Sequence, residues 1–81
     1  MEKQELLTKV KEVVARVLKM DPEEIADDAN FVFDLGADSM QSIQLVAAFE
    51  EEFGITMDQD RALSVQTVNA AADFIEAYLK K

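Results

Sequence analysis

Ser39 is the residue of this chain best placed to do chemistry, and its surroundings limit what that chemistry can be. It follows Asp38 where a glycine-containing loop, Asp34-Leu35-Gly36-Ala37, gives way to an amphipathic, acidic helix. A nucleophilic serine needs a base to take its proton, and histidine is the usual one. The chain has no histidine and no cysteine. Lys9, Lys11 or Lys19 could stand in only with unusual desolvation. A serine so placed reads as an attachment point rather than a catalyst, so the protein carries chemistry done by others.

The elements that must position Ser39 are helical. Leu6, Leu7, Val10, Val13, Val14, Val17 and Leu18 recur at helical spacing and predict a first helix over about residues 2–18. Asp21-Pro22-Glu23-Glu24 suits a short capped turn. Residues 26–37 read as a long loop whose Phe31, Val32, Phe33 and Leu35 should fold back over the core. Asp38 is a good N-cap and Gln41 stands three residues on, the spacing of a capping box. The second helix should therefore start at Ser39 and run to about Phe53, where Gly54 supplies a stop. One short helix capped by Asp58 is expected within 57–63. Val68, Ala71, Ala72, Ile75 and Leu79 mark a last helix, with Ser64 or Thr67 near its cap and Lys80 and Lys81 suiting its C-terminal dipole. The expected fold is all-α: a small four-helix bundle, three longer helices plus one short, with a long loop between the first and second. The 81 residues suit one domain with a small core, and without cysteines that core must hold unaided.

Charge bounds the partners. The net charge is −9, but residues 1–20 carry five basic and three acidic side chains while residues 21–81 carry three and fourteen. The acidic part would repel nucleic acid and anionic membrane and attract basic patches on other proteins. Solubility alone is the plainer explanation of the same acidity. No apolar run approaches the roughly 20 residues of a membrane span. The first residues, Met1-Glu2-Lys3-Gln4-Glu5, lack a signal-peptide layout, so a soluble cytoplasmic protein, acting as a monomer, is expected. Asp58-Gln59-Asp60 lacks the glycine and terminal glutamate of a calcium loop. No metal site is expected beyond weak divalent binding to the acidic surface.

The second helix has two apolar faces. At about 100° per residue, Leu45, Val46, Phe49 and Phe53 share one arc, the core face. Met40, Ile43 and Ala47 fall on roughly the opposite side, beside Gln44, Glu50 and Glu51. That second stripe is either a docking surface for other proteins or a cover for neighbouring loops.

The run Phe31-Val32-Phe33-Asp34-Leu35-Gly36-Ala37-Asp38-Ser39-Met40 resembles the phosphopantetheine attachment region of acyl carrier proteins. The likeness continues through Leu45-Val46 and Phe49-Glu50-Glu51-Glu52-Phe53-Gly54-Ile55, and nearly the whole chain follows the stand-alone bacterial type in order and length. The resemblance implies that Ser39 receives 4′-phosphopantetheine from coenzyme A through a phosphopantetheinyl transferase (holo-carrier synthase). Acyl groups would then ride on the arm's thiol as thioesters. It implies that Leu35, Gly36 and Asp38 belong to the attachment motif. If the second stripe is a docking surface, Met40, Ile43, Gln44, Ala47, Glu50 and Glu51 would meet ketosynthases, acyltransferases or other acyl-processing enzymes with basic docking patches. Val46, Phe49, Leu63, Val68 and Ile75 are the candidate lining of an acyl pocket.

The chain departs from the usual fatty-acid carrier at Met40, where leucine is common, and at Gln41 and Gln44, where acids are usual. Thr56-Met57 replaces a frequent proline, and Arg61 sits among the acids of the short helix. These differences suggest a specialised lipid or polyketide-like pathway. Asp38-Ser39-Met40 is also similar to D-alanine carriers, leaving an aminoacyl cargo as an alternative. A non-carrier helical interaction domain is the alternative of a different class.

Overall fold

A computed structural model describes residues 2–80. Among them are four α-helices: α1 (Lys3–Leu18), α2 (Ser39–Phe53), α3 (Gln59–Ser64) and α4 (Val68–Leu79), with a 3-10 turn at Pro22–Glu24. The all-α expectation and its three-plus-one division of helix lengths hold. β structure among these residues is limited to an isolated bridge between Asn30 and Thr67.

Local chemistry explains each boundary. The α1 chain leaves through Lys19 in the left-handed region (φ 58), closed by Met20 N–H donating to Ala15 O at 3.0 Å. Asp21 caps the 3-10 turn through a capping box with Glu24. Gly54, at φ 64, ends α2. Asp58 caps α3, and Thr67 rather than Ser64 caps α4, its Oγ1 accepting from Ala70 N–H at 3.2 Å. Lys80 pairs with Glu76 one turn back, while Lys81 lies outside the described residues.

The core forms where α1 meets α2 and α4. Leu6, Val10, Val13 and Val14 from α1, and Val68, Ala72 and Ile75 from α4, are buried almost completely. Ala71 and Ala72 let α4 approach closely. α3 packs on α2, and its N-cap is held to α4 by Asp58 N–H donating to Tyr78 Oη at 3.0 Å. Tyr78 in turn meets Phe74 edge-on at 5.2 Å. The basic character of α1 is partly used within the fold. Lys3 pairs with Asp73, Lys11 with Asp27, and Arg16 Nη2 lies 3.7 Å from Glu52 Oε1. Each pair is exposed enough to contribute little stability, about 0–1 kcal/mol.

The long loop between α1 and α2 corrects one expectation. Phe31 is buried and Leu35 half-buried, but Val32 and Phe33 stand out in solvent. The cause is a helical turn over residues 31–35. Asn30 Oδ1 accepts from both Val32 N–H and Phe33 N–H at 2.9 Å, and Asn30 O accepts from Asp34 N–H at 2.9 Å and Leu35 N–H at 3.0 Å. Asp34 returns a bond, its Oδ2 accepting from Asn30 N–H at 2.7 Å. In a helical turn residues three or four apart share a face and those one or two apart do not, so Phe31 and Leu35 point inward together and the two residues after Phe31 point out. Gly36, at φ 73, lets the chain leave this turn. The loop is anchored to the α3–α4 connection and the start of α4 through Phe31 N–H to Gln66 O (2.9 Å) and Val68 N–H to Ala29 O (3.0 Å).

Asn30→Ala removes the acceptor for two backbone N–H groups at once. Because both are near solvent, the expected loss is about 1 kcal/mol. In hydrogen exchange, the Val32 and Phe33 amides should speed up while those of Val10 and Val13 hold. Unchanged exchange at Val32 and Phe33 would refute the stapling role.

Candidate functional site

Ser39 is the first residue of α2, exposed, and its hydroxyl has no hydrogen-bond partner among the described residues. The helix start is set by a complete capping box. Asp38 Oδ1 accepts from Gln41 N–H at 2.7 Å, and Gln41 Oε1 accepts from Asp38 N–H at 3.1 Å. Asp38 O also accepts from Ser42 N–H at 2.9 Å and from the Ser42 hydroxyl at 3.0 Å. The N–H groups of Ser39 and Met40 precede the first acceptor within the helix and point out of its N-terminus. A phosphodiester on Ser39 Oγ would meet these donors and the positive end of the helix dipole. The exposed hydroxyl therefore fits such a group. The Asp38 carboxylate, the nearby charge that opposes it, is partly offset by the N–H it accepts.

Leu35 and Gly36 lie just upstream, and their structure explains their types. Leu35 packs against the core, and Gly36 N–H donates to Val32 O at 3.1 Å. A side chain at Gly36 would touch nothing within 4 Å, so positive φ is what favours glycine there. Both residues act on the site by shaping its approach.

Met40, Ile43 and Ala47 are exposed along one stripe of α2, Met40 at 69%, with Gln44 and Glu51 exposed beside them. They do not cover the loops. Two neighbours differ from expectation. Glu50 is half-buried and its Oε2 accepts from Met57 N–H at 2.8 Å, so it holds the α2–α3 loop. Gln41 is half-buried and engaged in the capping box, a role glutamate fills equally well. Of the two neutral positions on this helix, Gln44 alone alters the open surface.

A cavity of about 260 Å³ opens between the 30–33 loop, α2, α3 and α4. Val46, Phe49, Leu63 and Ile75 line it, together with Phe31, Leu45, Met57, Ala62 and Phe74. Val68 does not. On α4, Ala71, Phe74 and Ile75 line the cavity, whereas Val68 shares the face of Ile75 but lies two turns nearer the start of the helix, in the fully buried core with Ala72. Ser42, one turn after Ser39, is at the cavity wall.

Residues 8–75 match the family described as the phosphopantetheine attachment site. The chain is 43% identical over 76 residues to an acyl carrier protein of Bradyrhizobium sp. (strain ORS 278), covering 94% of this chain and 96% of that one. It is 44% identical over 75 residues to the acyl carrier proteins of Thermosynechococcus vestitus (93% of each chain) and Phenylobacterium zucineum (93% and 95%). The chain belongs to the phosphopantetheine attachment family, among the acyl carrier proteins. Proteins of this kind bear a 4′-phosphopantetheine group and are carriers rather than catalysts. They interact with phosphopantetheinyl transferases and acyl-processing enzymes.

The capping geometry yields a graded expectation. Asp38→Ala should cost about 1 kcal/mol in urea denaturation, and Asp38→Asn only a few tenths, since asparagine still accepts from Gln41 N–H. Equal losses for the two variants would mean that the cap does not set the start of α2.

Proposed function

We propose that Ser39 bears the 4′-phosphopantetheine arm and that acyl groups travel on it as thioesters between separate enzymes in the cytoplasm. The observation that carries this is an exposed, unpartnered hydroxyl at a capped helix N-terminus, one turn from an apolar cavity. A flexible arm anchored there can deliver cargo outward or withdraw it inward. The thiol arrives with the arm, which accounts for a carrier without cysteine.

The cavity supports acyl cargo over aminoacyl cargo. Its walls are mostly hydrocarbon, and an ammonium group inside would lose its hydration without a counter-charge. A cavity of about 150 Å³ suffices for benzene, so this one suits an acyl segment of roughly eight to ten carbons. The stripe of Met40, Ile43 and Ala47, with acids around it, is proposed as the docking face for enzymes with basic patches.

The pathway is proposed to be a specialised one. Gln44 removes an acid from the open face of α2, and Met40 replaces a more rigid leucine beside the arm. Docking here should rest more on apolar contact and less on charge than in a housekeeping fatty-acid carrier.

Incubation with a phosphopantetheinyl transferase and coenzyme A should add one arm by intact mass, and Ser39→Ala should add none. No adduct on the parent, or the same adduct on the variant, would reject the attachment site. The double variant Gln41→Glu/Gln44→Glu keeps the capping box. It should be turned over several-fold faster than the parent by a housekeeping ketosynthase at low salt, with the advantage shrinking as salt rises. Equal or slower turnover would reject the specialised reading.

A further inference from the structure

Three exposed apolar side chains, Val32, Phe33 and Leu63, rim the cavity. Phe33 is the extreme, 87% open to solvent. Its backbone is nonetheless held, with the N–H donating to Asn30 Oδ1 at 2.9 Å. The ring is therefore free to turn about a fixed base, since rotation about its side-chain bonds needs no backbone change. A phenyl kept in water at the lip of an apolar opening can shed that water contact by covering the opening. Ser42 lines the same cavity, and three residues of helix, about 4.5 Å of rise, separate it from Ser39. A group tethered at Ser39 thus begins beside the rim that Phe33 overlooks.

Resting on the proposed roles of Ser39 and the cavity, we infer that Phe33 is the gate of that cavity. Its ring closes over an acyl segment that has entered, and it sets how long the thioester is withheld from solvent. The occupant of this rim is the chain's own acylated arm. The continuity of Val32, Phe33 and Leu63 with the cavity lining argues for that occupant over a docked protein. The stripe of Met40 and Ile43, by contrast, lies on the far side of α2 from the cavity wall. An acetyl group has too little apolar surface to hold the arm inward, so the gate acts on longer chains.

The test loads the full chain with octanoyl or acetyl arms, using a phosphopantetheinyl transferase and octanoyl- or acetyl-coenzyme A. Each is then exposed to hydroxylamine, whose nitrogen attacks the thioester carbonyl and expels the arm's thiol as the acyl hydroxamate forms. Intact mass follows the loss. In the parent, octanoyl should be cleaved several-fold more slowly than acetyl. Phe33→Ala should speed octanoyl cleavage several-fold without changing acetyl cleavage, Phe33→Leu should restore much of the protection, and Leu79→Ala, an exposed apolar residue off the rim, should change neither. An octanoyl arm still protected in Phe33→Ala as in the parent would overturn the gate, leaving the cavity's role intact. Faster cleavage of both arms in Phe33→Ala would show general loosening and also overturn it. Equal rates for octanoyl and acetyl in the parent would overturn the sheltering role of the cavity, and the gate with it.

Discussion

The reciprocal bonds between Asp38 and Gln41 fix which residue begins α2, and the rest of the site depends on that register. Each residue of slippage would rotate the helix face by about 100°. With the start at Ser39, one arc of α2 delivers Leu45, Val46 and Phe49 to the core, and the opposite arc leaves Met40, Ile43 and Ala47 in water. One fifteen-residue helix therefore presents Ser39 at its exposed start, builds a cavity wall and offers a second apolar surface. Small domains have little core to spare, which gives every inward position on α2 a structural load as well as a functional one.

The second constraint is electrostatic. Lys3, Lys11 and Arg16 of α1 are set against Asp73, Asp27 and Glu52, so part of the chain's positive charge lies inside its own ion pairs. The remaining surface is strongly acidic, and attachment of a phosphodiester makes it more so. At Ser39 the helix N-terminus would ease that addition locally. The same acidity keeps anionic surfaces at a distance and favours partners that bring positive charge.

Much of this was legible in the residues because it depends on local rules. Helical spacing, Asp38 with Gln41, Asp58, and Gly54 predict element limits within a residue or two of those observed. Where tertiary geometry decides, the sequence misleads. Four apolar residues in the 31–35 turn look equally core-bound, yet the Asn30 staple imposes a helical turn that turns Val32 and Phe33 outward. Asn30 followed four residues later by Asp34 was the available signal, a side chain able to bind its own downstream backbone. Val68 looks like any other apolar residue of α4 and shares a face with Ile75, and only the tertiary packing shows that the cavity does not extend to the first turn of α4. Glu50 reads as a surface acid, and only the path of the α2–α3 loop brings Met57 N–H to it. The cavity itself is a gap between four segments, which no single stretch of sequence records.

The central claim is that Ser39 carries acyl groups through a phosphopantetheine arm. It is tested most directly on protein purified from its own cell. Cleavage after Lys19 and Arg61 yields one peptide, residues 20–61, that holds both Ser39 and Ser42. Fragmentation of that peptide should place a phosphopantetheine, part of it bearing an acyl thioester, on Ser39 and leave Ser42 free. A peptide bare at Ser39, or an arm on Ser42, would contradict the account.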